Sequence, residues 1–148
     1  RNRAMDYLKE GFKQLGLEVS PEELEKAIDE LDGLIGWLTL YGYEKGVKKN
    51  KDALNKTGQT AARIAASELV HFLKKTRNKK LYLSILRNAS GTGWEQLRAL
   101  AGKDYGKKLN SNLFTYALNK LAIHSFIEKK DRAYNLSDPL LAKAIYLV

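Results

Sequence analysis

Apolar residues recur along most of this chain at spacings of three and four, the period of helices packed on one face. Ala4, Leu8, Phe12 and Leu15 mark a first amphipathic helix, which Gly16 stops. Ser20-Pro21-Glu22-Glu23 starts the next, with Ser20 as N-cap, Pro21 at the first helical position and Glu23 closing a capping box. Leu24, Ala27, Ile28 and Leu31 form its inner stripe. Residues 33 to 43, GLIGWLTLYGY, are too apolar for a loop. Gly33 and Gly36 there either let two backbones approach closely, the favoured reading, or merely start a helix.

The pattern fades from Gly46 to Lys56, where four lysines and almost no apolar side chain read as a connector. It returns with Ala61, Ala65, Leu69 and Phe72 or Leu73, a long helix ending near Thr76. Asn78 caps the following helix, with Leu81, Ile85 and Leu86 inward. The intervening basic cluster from Lys74 to Lys80 reads as a hinge between packed units. Thr92 and Glu95 then form a second capping box for a short helix with Trp94, Leu97 and Leu100 inward and Ala101-Gly102 at its end.

The period changes once more after residue 110. Leu113, Ala117 and Leu121 fall every four residues; Ile123 and Phe126-Ile127 then open a strand, and Lys129-Lys130-Asp131-Arg132 makes a charged turn into Ala133–Leu136. A helix running into a tight ribbon is the C-terminal half of a winged helix. Ser137-Asp138-Pro139 caps a last helix whose Leu140, Leu141, Ile145 and Leu147 need a core, a partner or a further domain to cover them. The expected fold is mainly α: a helical lid-like segment at 1–43, a helical connector at 44–76, and a winged-helix domain (helix-turn-helix with a β-hairpin) with its C-terminal helix at 77–148. The alternative is one continuous helical domain in which the hairpin is a loop.

Charge sharpens the functional reading. The formal net charge is +9, with −4 on residues 1–42 and +13 on residues 43–148. Duplex DNA is one reason for such a field in a basic protein, and a lysine-rich solvated surface is the other. With Leu113, Ala117 and Leu121 inward, Asn112, Thr115 and Asn119 take the outer face, where their side chains reach base edges. Lys107 and Lys108 before the helix and Lys129, Lys130 and Arg132 in the wing then face phosphates. The helix has no arginine for guanine, so phosphate attraction carries much of this DNA-binding reading. Protein docking without DNA is the competing role, favoured by exposure of Trp37, Tyr41, Tyr43 and Tyr146–Val148.

Catalysis and metal binding find little support. There is no cysteine and no GxxxxGK[ST] loop, and His71, read as helix surface, and His124, read as strand edge, lack further ligands. The chain alone is therefore expected to be no enzyme and to hold no metal. Apolar runs fall short of the ~18 residues of a membrane span and no signal peptide opens the chain, so a cytoplasmic location with no membrane partner is expected. The chain opens on Arg1 rather than Met, which reads as a fragment of something longer.

Two stretches carry a family resemblance. GLIGWLTLYG at 33–42 resembles the lid segment GIPGWLxxYG of the archaeal ATPase family, and YNLSDPLL at 134–141 resembles that family's Y-x-[IL]-x-DPLL junction after the wing. The opening AMDYLKEGFKQLG is similar to the start of the same lid. The resemblance implies the C-terminal part of an AAA+-related STAND-class ATP-binding protein, with a helical lid and a winged helix. It places ATP or ADP and Mg on a nucleotide-binding domain preceding Arg1, itself an expected partner. The implied lid motif is Gly33, Ile35, Gly36 and Trp37; Ile35 stands where related proteins carry a nucleotide-adjacent proline, which weakens the expectation of a nucleotide contact.

Overall fold

The computed structural model describes residues 1–148 as a mainly helical chain with one small antiparallel sheet. It divides into two compact units, Arg1–Arg63 and Ile64–Val148. The division falls inside a single helix, α4 (Ala53–Lys74), rather than at residues 43 and 76. The lysine-rich connector hid this, because Gly46, Ala53 and Thr57, before, among and just after its lysines, are buried. No helix is long and apolar enough to cross a membrane.

In the first unit, α1 (Asn2–Gln14) buries Ala4, Leu8 and Phe12, while Leu15 lies past its end and is exposed. Gly16, at φ +68°, turns the chain out of that helix. The Ser20 Oγ accepts from the Glu23 N–H at 3.2 Å and caps α2 (Pro21–Glu30). Glu23's carboxylate is not committed to the capping box; it takes bonds from Tyr41 and Lys45.

Asp32 and Gly33, at φ 54° and 64°, wind α2 off with the Gly33 N–H on the Ile28 carbonyl at 2.8 Å. Gly33 is therefore a helix terminator. A Cβ on it would meet nothing closer than 3.9 Å and one on Gly36 nothing within 4 Å, which corrects the close-approach reading. Then α3 (Ile35–Gly42) buries Leu38 and Tyr41, with Phe12 and Tyr41 edge to face at 6.0 Å. The close approach occurs at Gly46, in the π-helical turn Tyr43–Val47, where a Cβ would stand 2.5 Å from Leu15 Cδ1. Buried Glu44 beside it accepts from Lys48 Nζ at 3.1 Å and Asn50 Nδ2 at 3.3 Å, and these bonds, Lys48's first, hold its carboxyl below the usual range.

The second unit is built on α5 (Lys79–Asn88), β1 (Ser90–Thr92), α6 (Trp94–Tyr105), α7 (Ser111–Ile123), β2 (Ile127–Lys130), β3 (Ala133–Leu136) and α8 (Leu140–Ile145). Its core joins Leu69, Ile85, Leu97, Phe114, Leu121 and Ile145, among others, from α4 to α8. Asn78 caps α5, its Oδ1 accepting from the Leu81 N–H at 3.2 Å. Residues 127–130 and 133–136 pair as antiparallel strands, Ile127 opposite Leu136 and Lys130 opposite Ala133.

Five local expectations change here. Thr92 does not cap α6: it belongs to β1, which adds to β3 to give the order β1-β3-β2, and its Oγ1 donates to the Asn88 carbonyl at 3.1 Å. Gly102 does not end α6, which continues to Tyr105 and stops at Gly106, φ 99°. Ile123 is the last residue of α7 rather than a strand opener, and His124 caps that helix instead of edging the strand. In α8, Leu140, Leu141 and Ile145 are buried, whereas Leu147 is exposed with Tyr146 and Val148.

Candidate nucleic-acid interface

The outer face of α7 is set by what the helix buries. Its inner stripe is Phe114, Ala117, Leu118 and Leu121, and Leu113 is 41% exposed, contrary to its expected inward place. At about 100° per residue, the side opposite that stripe carries Asn112, Tyr116, Asn119 and Ile123. Thr115 lies at its flank, also exposed. Tyr116 is 62% exposed and Ile123 80%, so the outward face alternates amides with apolar groups. Asn110 starts the helix, its Oδ1 accepting from the N–H of Asn112 at 2.8 Å and of Leu113 at 3.4 Å.

Lys107 and Lys108 sit exposed in the turn entering α7. The turn is rigid for identifiable reasons. Lys107 N–H donates to the Gly102 carbonyl at 3.0 Å, Leu109 is buried, and Arg98 Nε donates to the Leu109 carbonyl at 2.8 Å. A Cβ on Gly102 would lie 3.0 Å from the Lys107 carbonyl, so only glycine fits under this turn without displacement. Lys107 Nζ lies 5.6 Å from the Tyr105 ring centre and Lys80 Nζ 5.7 Å from the same ring, whose hydroxyl receives Asn78 Nδ2 at 2.8 Å. Arg98, Lys103, Lys107 and Lys108 share one open groove of about 590 Å³ with Glu95 as its acidic member. Arg98 and Lys103 were not singled out by sequence; their signal is the one-turn spacing of Arg98 from Gly102, visible only once α6 is known to pass Gly102.

Across the hairpin, Lys129 stands opposite Tyr134 with its Nζ 5.5 Å from that ring centre. Asp131 and Arg132 make the tip, both left-handed at φ 51° and 63°. The Asn135 side chain accepts from the Gly91 N–H at 2.8 Å and fastens β1 to the hairpin. Lys129, Lys130 and Arg132 are exposed, and none of them, nor Lys107 or Lys108, takes part in an ion pair.

The whole net charge belongs to this unit. Residues 64–148 carry 15 Lys and Arg against six Asp and Glu, which is +9, and residues 1–63 carry 11 of each. Elsewhere, the lid motif spans the α2–α3 junction: Gly33 terminates α2, Ile35 and Gly36 open α3 on its exposed side, and Trp37 is half-buried. Of the aromatic residues considered for docking, Tyr41 is fully buried, while Tyr43 and Tyr146 are exposed.

No protein-family profile matches the chain, and no curated protein sequence does. Among solved structures, the Walker-type ATPase of Pyrococcus abyssi is similar over 99% of this chain, at 28% identity and a TM-score of 0.83. The chain spans 41% of that protein's length. The likeness supports a relation to archaeal ATPases.

Proposed function

We propose that this chain is the non-catalytic lid and winged-helix part of an AAA+-related, STAND-class ATPase, acting in the cytoplasm, and that its second unit holds duplex DNA chiefly by the phosphates. The observation that carries the DNA reading is the charge partition: all of the +9 lies on residues 64–148, and the cations at the α7 entrance and on the hairpin are free of ion pairs. Lys107, Lys108, Lys129, Lys130 and Arg132 meet the backbone, while Asn112, Thr115 and Asn119 reach base edges with little discrimination.

ATP or ADP and Mg belong, on this reading, to a partner nucleotide-binding domain of the whole protein. This chain's own residues do not fit them. No three acidic or histidine side chains converge on a cation position, and the lid offers Ile35 and Gly36 rather than a phosphate cradle. Calorimetry with ATP and ADP is expected to show no binding by the chain alone; a micromolar dissociation constant overturns that assignment.

Titration of labelled mixed-sequence duplex at several salt concentrations tests the DNA reading. Each phosphate neutralised adds about 0.9 to the slope of log K against log salt, so five contacts give roughly −4 to −5. Changing Lys129, Lys130 and Arg132 together to Ala should weaken binding and flatten the slope. No binding at low salt, or no change in that variant, shifts the reading to a protein-docking or nucleotide-state relay module. A specific observation favours that second reading: Tyr116 and Ile123 sit on the outward side of α7, where a solvated helix would carry polar groups.

A further inference from the structure

The chain has two histidines, 53 positions apart, and both line one pocket of about 380 Å³ in the second unit. Its floor is Phe72 and Phe126, whose ring centres lie 5.1 Å apart. His124 packs edge-on to Phe72 at 5.0 Å. The rim carries Glu68 and His71 from α4, Lys75 from the turn just past its end, and Lys120 from α7. Lys120 Nζ lies 5.9 Å from each of the Phe72, Tyr82 and Tyr116 ring centres, which holds the ammonium in place; these two tyrosines are the other titratable groups facing it. No group of three metal-ligating side chains converges, so the imidazoles and Glu68 do not form a cation site.

The hydrogen bonding of His124 fixes its chemistry. Its Nδ1 lies 2.9 Å from the Lys120 carbonyl, which accepts only, so Nδ1 keeps its proton and Nε2 is the titrating atom. A neutral Nε2 repels an anion through its lone pair, and a protonated one donates to it. With both imidazoles charged, the pocket presents four cations against Glu68. We infer that this pocket is a proton-coupled site for a tetrahedral oxyanion of the phosphate class, held by His71, Lys75, Lys120 and His124 and tightening as the imidazoles gain protons. A free phosphate group and a nucleic-acid phosphodiester share this chemistry. The site is separate from the cations assigned to DNA above and stands whether or not that assignment does.

Sulfate is the probe, because it does not itself titrate in this range. The imidazole proton resonances of the full chain are followed by NMR across about pH 5 to 8, in sulfate and in sodium chloride of equal ionic strength. Sulfate should bind roughly fivefold more tightly near pH 5.5 than near pH 8, and by reciprocity raise the titration midpoints of the two histidines by about 0.7 unit in sum. Lys75→Ala and His71→Gln, both at exposed positions, should weaken sulfate binding while leaving the spectrum dispersed. Competition by a short oligonucleotide assigns the site to nucleic-acid phosphate, and its absence to a free phosphate group. Identical imidazole titrations in sulfate and chloride, or sulfate binding untouched by both variants, overturn the proposal.

Discussion

The Tyr41 hydroxyl donates to Glu23 Oε1 at 3.0 Å, and the Lys45 ammonium meets the same oxygen. One carboxylate at the start of α2 thereby gathers α3 and the π-helical turn. The Lys45 bond, with Tyr41's help, holds the Glu23 carboxyl below its ordinary 4.5 against a smaller opposing effect of burial. Burial and the Glu23 charge push the Tyr41 phenol well above its ordinary 10. Because the folded Glu23 pKa is the lower one, its stabilisation is complete above about pH 4.5 and is lost as pH falls through the folded value. Urea denaturation of Glu23→Gln should lose that acid-side dependence. Tyr41→Phe should cost about 1 kcal/mol at neutral pH, and an unchanged midpoint would remove the bond from the account.

The two lid glycines should respond in opposite directions. Gly33 has φ 64°, so Gly33→Ala forces a left-handed alanine at about 1–2 kcal/mol although space for the methyl exists. Gly36 opens α3 with nothing near its added Cβ, so Gly36→Ala should stabilise by up to about 1 kcal/mol. Thermal melts of both variants check this. If both destabilise alike, backbone crowding is the reason for the pair after all.

The orientation of α7 makes a similar contrast. Phe114→Ala removes a fully buried ring and should cost about 3–5 kcal/mol, whereas Ile123→Lys, at a position 80% exposed, should stay within about 0.5 kcal/mol of the parent. The same Ile123→Lys change adds a cation to the outward face, so it should strengthen DNA binding and weaken an apolar protein contact. Chemical denaturation and the salt titration read the two effects separately.

Local signals were the legible ones. Ser20 and Asn78 cap as expected because a cap is settled within three residues of sequence. The hairpin was legible from its charged turn and flanking apolar pairs. Thr92 was not, because β1 exists only through β3, with Ser90 opposite Asn135 and Thr92 opposite Tyr134. A three-residue strand has no period to read. On α7, Leu113 and Phe114 are adjacent apolar residues, and either completes a stripe with Ala117 and Leu121; Phe114 goes inward because Leu118 lies on its side. That choice turns the helix enough to bring Tyr116 and Ile123 outward beside the exposed Asn112, Thr115 and Asn119, an apolar pair that the four-residue spacing of Leu113, Ala117 and Leu121 did not announce. In the lysine-rich connector, composition concealed burial that small residues such as Gly46 and Ala53 made possible.

The hairpin tip allows charge to be separated from stability. Asp131 and Arg132 are both left-handed, the conformation of a two-residue type I′ turn, which glycine occupies without strain at its second position. Arg132→Gly relieves that strain, while Arg132→Ala retains it, so the glycine variant should be the more stable of the two by about 1 kcal/mol. Both remove the same cation. If Arg132 meets a phosphate, both variants should lose DNA affinity alike and flatten the salt slope by about 0.9 each, despite their different melting temperatures. Binding losses that follow stability instead would mean that Arg132 acts through the shape of the hairpin. Unchanged slopes in both would remove this residue from the phosphate contacts and leave Lys129 and Lys130 to carry the hairpin's part.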